Sequence, residues 1–127
     1  MARNSIVGDK SLAFAKRVAR CYRFLIDKKK ETILSKQILR SGTSIGANIR
    51  EGVFAQSRKD FISKMNIALK EAGETDYWLE VIHSTAYLTD TEYESMKKDN
   101  DELIKLLTSI IKTTKENTPK LIKQNKT

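Results

Sequence analysis

Residues 40–52 read RSGTSIGANIREG, with two glycines four apart and a set of polar residues where a helix favours Ala and Leu. A phosphate-binding loop needs a strand before it and a Lys-Ser or Lys-Thr after its last glycine, and neither is present. The apolar positions decide the matter instead. Ile38, Gly42, Ile45 and Ile49 recur at spacings of four, three and four, so the segment is one face of an α-helix. Gly42 and Gly46 then share a side, where small residues let a neighbouring helix come close. Each glycine costs up to about 1 kcal/mol of helix propensity relative to Ala, which packing has to offset. Gly52 stands where helices commonly stop.

The polar residues make a second stripe beside the apolar one. Arg40, Ser44, Asn48 and Glu51 recur at four, four and three. The following helix carries a similar stripe in Ile67, Glu71, Glu74 and Trp78. If the turn between them centres on Ala55 and Gln56, antiparallel pairing sets Arg40 level with Glu71. A buried polar network of Arg40, Ser44, Asn48, Glu51, Glu71 and Glu74 is the expectation, because a buried charge without a partner is costly.

Helical periodicity extends in both directions. Upstream, a helix from about Lys10 to Asp27 places Leu12, Ala15, Val18 or Ala19, Tyr22, and Leu25 with Ile26 inward. Downstream, Ser57 opens a capping box with Asp60 at the third helical position. Phe61, Met65, Ala68, Ala72, Thr75, Leu79, Ile82 and Ala86 follow at alternating four and three, a seam like that of a coiled coil. It predicts a long third helix, to about Leu88 and roughly 45 Å in length. Thr89 to Glu92 is a second capping box. The fourth helix turns Tyr93, Met96, Leu103, Leu107, Ile110 and Ile111 inward. The sequence has no alternating β pattern. The expected class is all-α: an antiparallel up-and-down four-helix bundle over residues 1–117, with a basic, frayed tail at 118–127.

Composition narrows the function classes. The chain of 127 residues contains one Pro and one Cys, which excludes an internal disulfide framework and favours a reducing, cytoplasmic setting. No apolar run approaches a membrane span, and MARNSIVGDKSLAF is too polar for a secretory signal. Formal charge is +8. The excess lies at the two ends, with net +6 over residues 1–31 and +4 over 97–127, against −2 between them. In a four-helix bundle the first and last helices are neighbours, so this asymmetry points to an anionic partner, RNA or DNA. The contacts would come from Lys16, Arg17, Arg20, Arg23, Lys28, Lys29 and Lys30.

Enzyme readings find little support in the residues. Glu80 and His83 form one Glu-x-x-His unit, but a di-metal bundle site needs two and His83 is the sole histidine. No metal and no cofactor is expected, and His83 is read as a surface or interface residue. Cys21 lies between Arg20 and Arg23, which would lower its pKa. With no companion Cys or His motif it reads as a semi-buried thiol. Phe54, Tyr77 and Trp78 are candidate anchors for a protein partner.

Three collinear stretches, LSKQILRSGTSIGANIREG, AQSRKDF and IALKEAGETDYWLEVI, resemble the signature of the bacterial four-helix-bundle family known from intervening sequences of 23S ribosomal RNA genes. The resemblance covers about Lys10 to Lys112. It implies an antiparallel bundle, assembly as a homopentamer, and no enzymatic activity. A related bundle is the accessory protein of diversity-generating retroelements, which implies reverse transcriptase or nucleic acid as partner. The family's recurrent polar positions fall on Arg40, Ser44, Asn48, Glu51, Glu71 and Glu74. Gly46 departs from the Pro that many relatives carry.

Overall fold

The structure, a computed structural model, describes the backbone of residues 2–126 and the side chains of residues 6–117. Four helices follow one another: α1 (Ala2–Asp27), α2 (Leu34–Val53), α3 (Arg58–Ser84) and α4 (Asp90–Lys126). Among the described residues there is no strand. Short connections make consecutive helices antiparallel neighbours. Packing is densest along α1–α2, α2–α3 and α3–α4, and α1 meets α4 more sparingly to close the bundle. The expected frayed tail at 118–127 falls outside the residues whose side chains are described.

The core is one continuous apolar cluster. It joins Val7, Phe14, Val18 and Leu25 of α1 to Ile38, Ile45 and Ile49 of α2. Met65, Ala68, Ala72, Leu79 and Ile82 of α3 and Met96, Leu103, Leu107 and Ile111 of α4 complete it. The stripes read from α2 and α3 are the ones buried. The first helix keeps Val18 and Leu25 inward as expected, but its N-terminal half is rotated from the expected phase. Its buried side is Val7, Ser11, Phe14, Val18 and Leu25, whereas Leu12 is exposed. It also begins at Ala2 rather than Lys10.

The small residues of α2 explain that rotation. A Cβ added to Gly42 would lie 2.8 Å from both methyl carbons of Val18, and one added to Gly46 would lie 3.2 Å from Ser11 Oγ. The Gly42–Gly46 side of α2 therefore receives the Ser11–Val18 side of α1.

The third helix stops earlier than its seam implies. It ends at Ser84, and Ala86 sits in the left-handed region at φ 70°. The Ala86 N–H donates to His83 O at 3.0 Å and the Tyr87 N–H to Ile82 O at 3.1 Å. That pattern is a Schellman motif, normally completed by Gly. Ala86 thus closes the helix instead of continuing its seam.

Of the two expected capping boxes, Thr89–Glu92 forms in full, whereas Ser57–Asp60 shows only the N-cap half. Ser57 Oγ accepts from the Asp60 N–H at 3.0 Å. The Thr89 N–H donates to Glu92 Oε1 at 2.8 Å, and the Glu92 N–H donates to Thr89 Oγ1 at 3.1 Å.

Candidate functional site

The α1–α2 turn carries the densest run of charge. The Lys28 N–H still donates to Phe24 O and the Glu31 N–H reaches Leu25 O, each at 2.9 Å, while Lys30 turns the chain at φ 56°. Glu31 then folds under the start of α2. Its carboxylate accepts the N–H groups of Ser35 at 2.8 Å, Leu34 at 3.0 Å and Ile33 at 3.2 Å. The Ser35 hydroxyl donates back to Glu31 O at 2.9 Å. Burial pushes the Glu31 carboxyl up, but the hydrogen bonds from Leu34, Ser35 and Ile33 outweigh it and hold the pKa below its ordinary value. Sequence reasoning missed this residue. The available signal was a carboxylate four residues ahead of Ser35, at a helix start that needs N–H acceptors.

Lys16, Arg20, Arg23, Lys28, Lys29 and Lys30 are all exposed. Among the described residues none of the six enters an ion pair. Lys29 Nζ lies 5.8 Å from the centre of the Phe24 ring. Arg17 is placed differently. Its guanidinium donates to Asp99 Oδ2 at 2.5 Å, Ser95 Oγ at 2.9 Å and Ser95 O at 3.3 Å. One turn and more upstream, Lys10 pairs with Glu102 at 3.3 Å. Where α4 meets α1 it therefore answers base with acid, and the two basic ends of the chain do not simply pool.

Cys21, on the same helix, is half-buried. Its thiol is pushed up to about 11 by burial and by Glu92, against the opposing pull of Arg17. The flanking arginines do not activate it.

The polar seam between α2 and α3 divides into separate parts. Arg40 donates to Glu71 Oε2 at 3.3 Å and also to Glu74 Oε2, which accepts the Trp78 indole N–H at 3.0 Å. The Arg40 side chain is 50% exposed, against 21% for Glu71 and 36% for Glu74. This cluster lies at the rim of the helix pair, not inside it. Asn48 donates to Ser44 O at 2.9 Å, Ser44 to Arg40 O at 2.6 Å, and Glu51 pairs with Lys64 at 3.2 Å. Ser44 and Asn48 bond within α2 and Glu51 reaches across to Lys64 of α3, so none of the three joins the Arg40, Glu71 and Glu74 cluster.

The polar contact in the interior is another pair. Thr75 Oγ1 lies 2.8 Å from Glu71 O and 2.9 Å from Ser41 Oγ, and both side chains are buried. With one proton each, Thr75 serves the carbonyl and accepts the proton of Ser41. Asn100 is likewise buried and donates to Ala72 O at 2.9 Å.

His83 stacks flat on Tyr93, ring centres 4.0 Å apart, with Nε2 2.7 Å from Asp90 Oδ1. It ties the end of α3 to the start of α4. Among the described residues no three His, Cys, Asp or Glu side chains converge as metal ligands. Nor is any described helix long and apolar enough to cross a membrane. Phe54 is 78% exposed beside Val53, at the mouth of an open groove of about 700 Å³ between α1 and α2.

An all-helical bundle with glycine-backed α1–α2 packing and a lysine-rich first turn defines the class. A family model described as 23S rRNA-intervening sequence protein matches residues 3–109, and the chain belongs to that family. It is similar to a protein of unknown function from the S23 ribosomal protein family of Bacteroides thetaiotaomicron, known from a crystal structure. The two are 60% identical with a TM-score of 0.86, over 87% of this chain and 98% of that one. No curated protein matches the chain.

Proposed function

We propose that the protein is a non-enzymatic, cytoplasmic homo-oligomer, a pentamer by its family resemblance, that binds RNA through the cationic surface of α1 and the α1–α2 turn. One observation carries this reading: Lys16, Arg20, Arg23, Lys28, Lys29 and Lys30 are exposed and unpaired among the described residues. Surface cations left without acid partners are available to phosphates, and a symmetric assembly would repeat them with a gain in avidity. The family's name supports RNA as the polyanion. Among the described residues there is no strand to carry a base-stacking aromatic platform, so selectivity would rest on RNA shape.

The test is binding of a structured ribosomal RNA fragment across a salt series, with duplex DNA as control. Affinity falling steeply with salt, and a shallower slope on replacing Lys28, Lys29 and Lys30 by Ser, is the expected result. No binding at low salt overturns it. A second reading, a scaffold for a protein partner such as a reverse transcriptase, is favoured by Phe54 and Val53 at the mouth of the α1–α2 groove. It predicts an association nearly indifferent to salt and sensitive to Phe54→Ser.

A further inference from the structure

Helices usually begin with a residue whose side chain accepts a hydrogen bond. At the start of α2 the N-cap is Ile33, which makes no side-chain cap, although Thr32 stands beside it. Glu31 has taken over the task by accepting the N–H groups of Ile33, Leu34 and Ser35. Ile33 itself is 72% exposed.

A single exposed aliphatic needs no explanation by itself. The surroundings of Ile33 are what count. Lys28, Lys29 and Lys30 are exposed on the same turn and Lys36 on the first turn of α2. Docking such a tip against an apolar protein surface would strip water from several ammonium groups. One isoleucine also buries too little, on the order of 2 kcal/mol, to hold the protein on a membrane. A double-stranded nucleic acid meets both demands, with phosphates for the lysines and a stacked apolar interior for the aliphatic. The turn is stiff enough to push. Glu31 ties it to α2 through three N–H groups and to α1 through Leu25 O, and Lys30 fixes the bend.

Resting on the RNA-binding reading above, we propose that Ile33 is an apolar wedge that unstacks one base step of a bound double helix while Lys28, Lys29 and Lys30 hold the flanking phosphates. In DNA, apolar side chains inserted between base steps partly unstack them and kink the duplex. The cations of α1 extend the footprint, since Lys16 to Lys30 spans roughly 20 Å at about 1.5 Å per residue.

The experiment uses the full chain and a set of short RNA duplexes, each carrying 2-aminopurine at a different base step. Wild-type protein is expected to raise the fluorescence several-fold at one or more steps. Ile33→Ser should bind with the same salt slope and produce no rise, and Ile33→Met should restore it. A rise that persists in Ile33→Ser, or wild-type binding with no rise at any step, overturns the wedge and leaves the cationic surface standing. Wild-type protein that binds no short duplex at low salt overturns the wedge, and binding of the structured ribosomal RNA fragment then decides the RNA-binding reading separately. Binding to phosphatidylglycerol vesicles that Ile33→Ser abolishes, with no fluorescence rise on RNA, also overturns the wedge and makes the tip a membrane contact.

Discussion

Gly42 faces Val18 so closely that a Cβ placed on it would sit 2.8 Å from both Val18 methyl carbons. Val18 is fully buried and β-branched, so it has little rotamer freedom with which to yield. Gly42→Ala should therefore destabilise the protein by about 1–3 kcal/mol despite the better helix propensity of Ala. Chemical denaturation of Gly42→Ala, Val18→Ala and the double variant checks the cause. The pair should cost less together than the sum of the two, because trimming Val18 makes room for the new methyl. Strict additivity would place the strain elsewhere.

Ala86 offers the opposite case. It holds a left-handed conformation at φ 70°, worth about 1–2 kcal/mol against a residue with a Cβ. Glycine removes that strain but gives back part of the gain as unfolded-chain entropy, about 0.4–1 kcal/mol. Ala86→Gly should stabilise the protein by a net amount of about 0.5–1 kcal/mol, seen as a higher melting temperature. A lower melting temperature would refute the assignment of Ala86 as the residue that closes α3.

The Arg40 cluster calls for a smaller effect than its sequence pattern implies. Half of the Arg40 side chain is exposed, and Glu74 keeps the Trp78 indole N–H when Arg40 is removed. Arg40→Ala should cost no more than about 1 kcal/mol in the single chain, the range of exposed ion pairs. A loss of several kcal/mol in a monomeric sample would mean that the carboxylates are far more buried than their surroundings here.

These contrasts mark what the amino-acid order made readable. The seam of α3 was legible because Met65, Ala68, Ala72, Thr75, Leu79 and Ile82 alternate three and four without a break. The first helix was not, since Leu12, Ala13, Phe14 and Ala15 offer apolar side chains on every side. Its rotation is decided by Ser11 and Val18 against Gly46 and Gly42, a tertiary fit that no local pattern encodes. The end of α3 was hidden for a related reason. Alanine is the best helix former, so Ala86 extends the apparent seam that its left-handed backbone terminates. Of the candidate cations, exposure was readable in Lys16, Arg20, Arg23 and the three lysines. The engagement of Arg17 by Asp99 and Ser95 depends on how α4 registers against α1, which periodicity leaves free.

Glu31 should be needed for the α1–α2 turn. Replacing it with Ala leaves the N–H groups of Ile33, Leu34 and Ser35 without their acceptor, at a cost of about 1–3 kcal/mol. The pH dependence has a definite sign. The folded-state pKa of Glu31 is lowered from 4.5, so its contribution is complete above the unfolded value and is lost as pH falls through the folded one. The stability difference between wild type and Glu31→Gln should therefore be larger at neutral pH and shrink on acidification below about 4.5. A difference that stays constant with pH would show that the carboxylate charge plays no part in the cap.

Cys21 provides a test that needs no mutation. Burial and Glu92 raise its pKa from 9.0 to about 11, so the thiolate that reacts with alkylating reagents is scarce at mildly alkaline pH. At pH 8 the native thiol should react about 100-fold more slowly than the same residue in the urea-unfolded chain, from its thiolate fraction alone. The native rate should keep rising with pH up to about 11, where an ordinary thiol would level off near 9.0. The same shift acts on stability. Between 9.0 and about 11 the unfolded chain has released the proton that the native state retains, so stability declines as pH rises across that window. A native rate that plateaus near pH 9 or below would mean that Arg20 and Arg23 govern the thiol after all, and that α1 meets α4 less closely at Glu92 than the bundle requires.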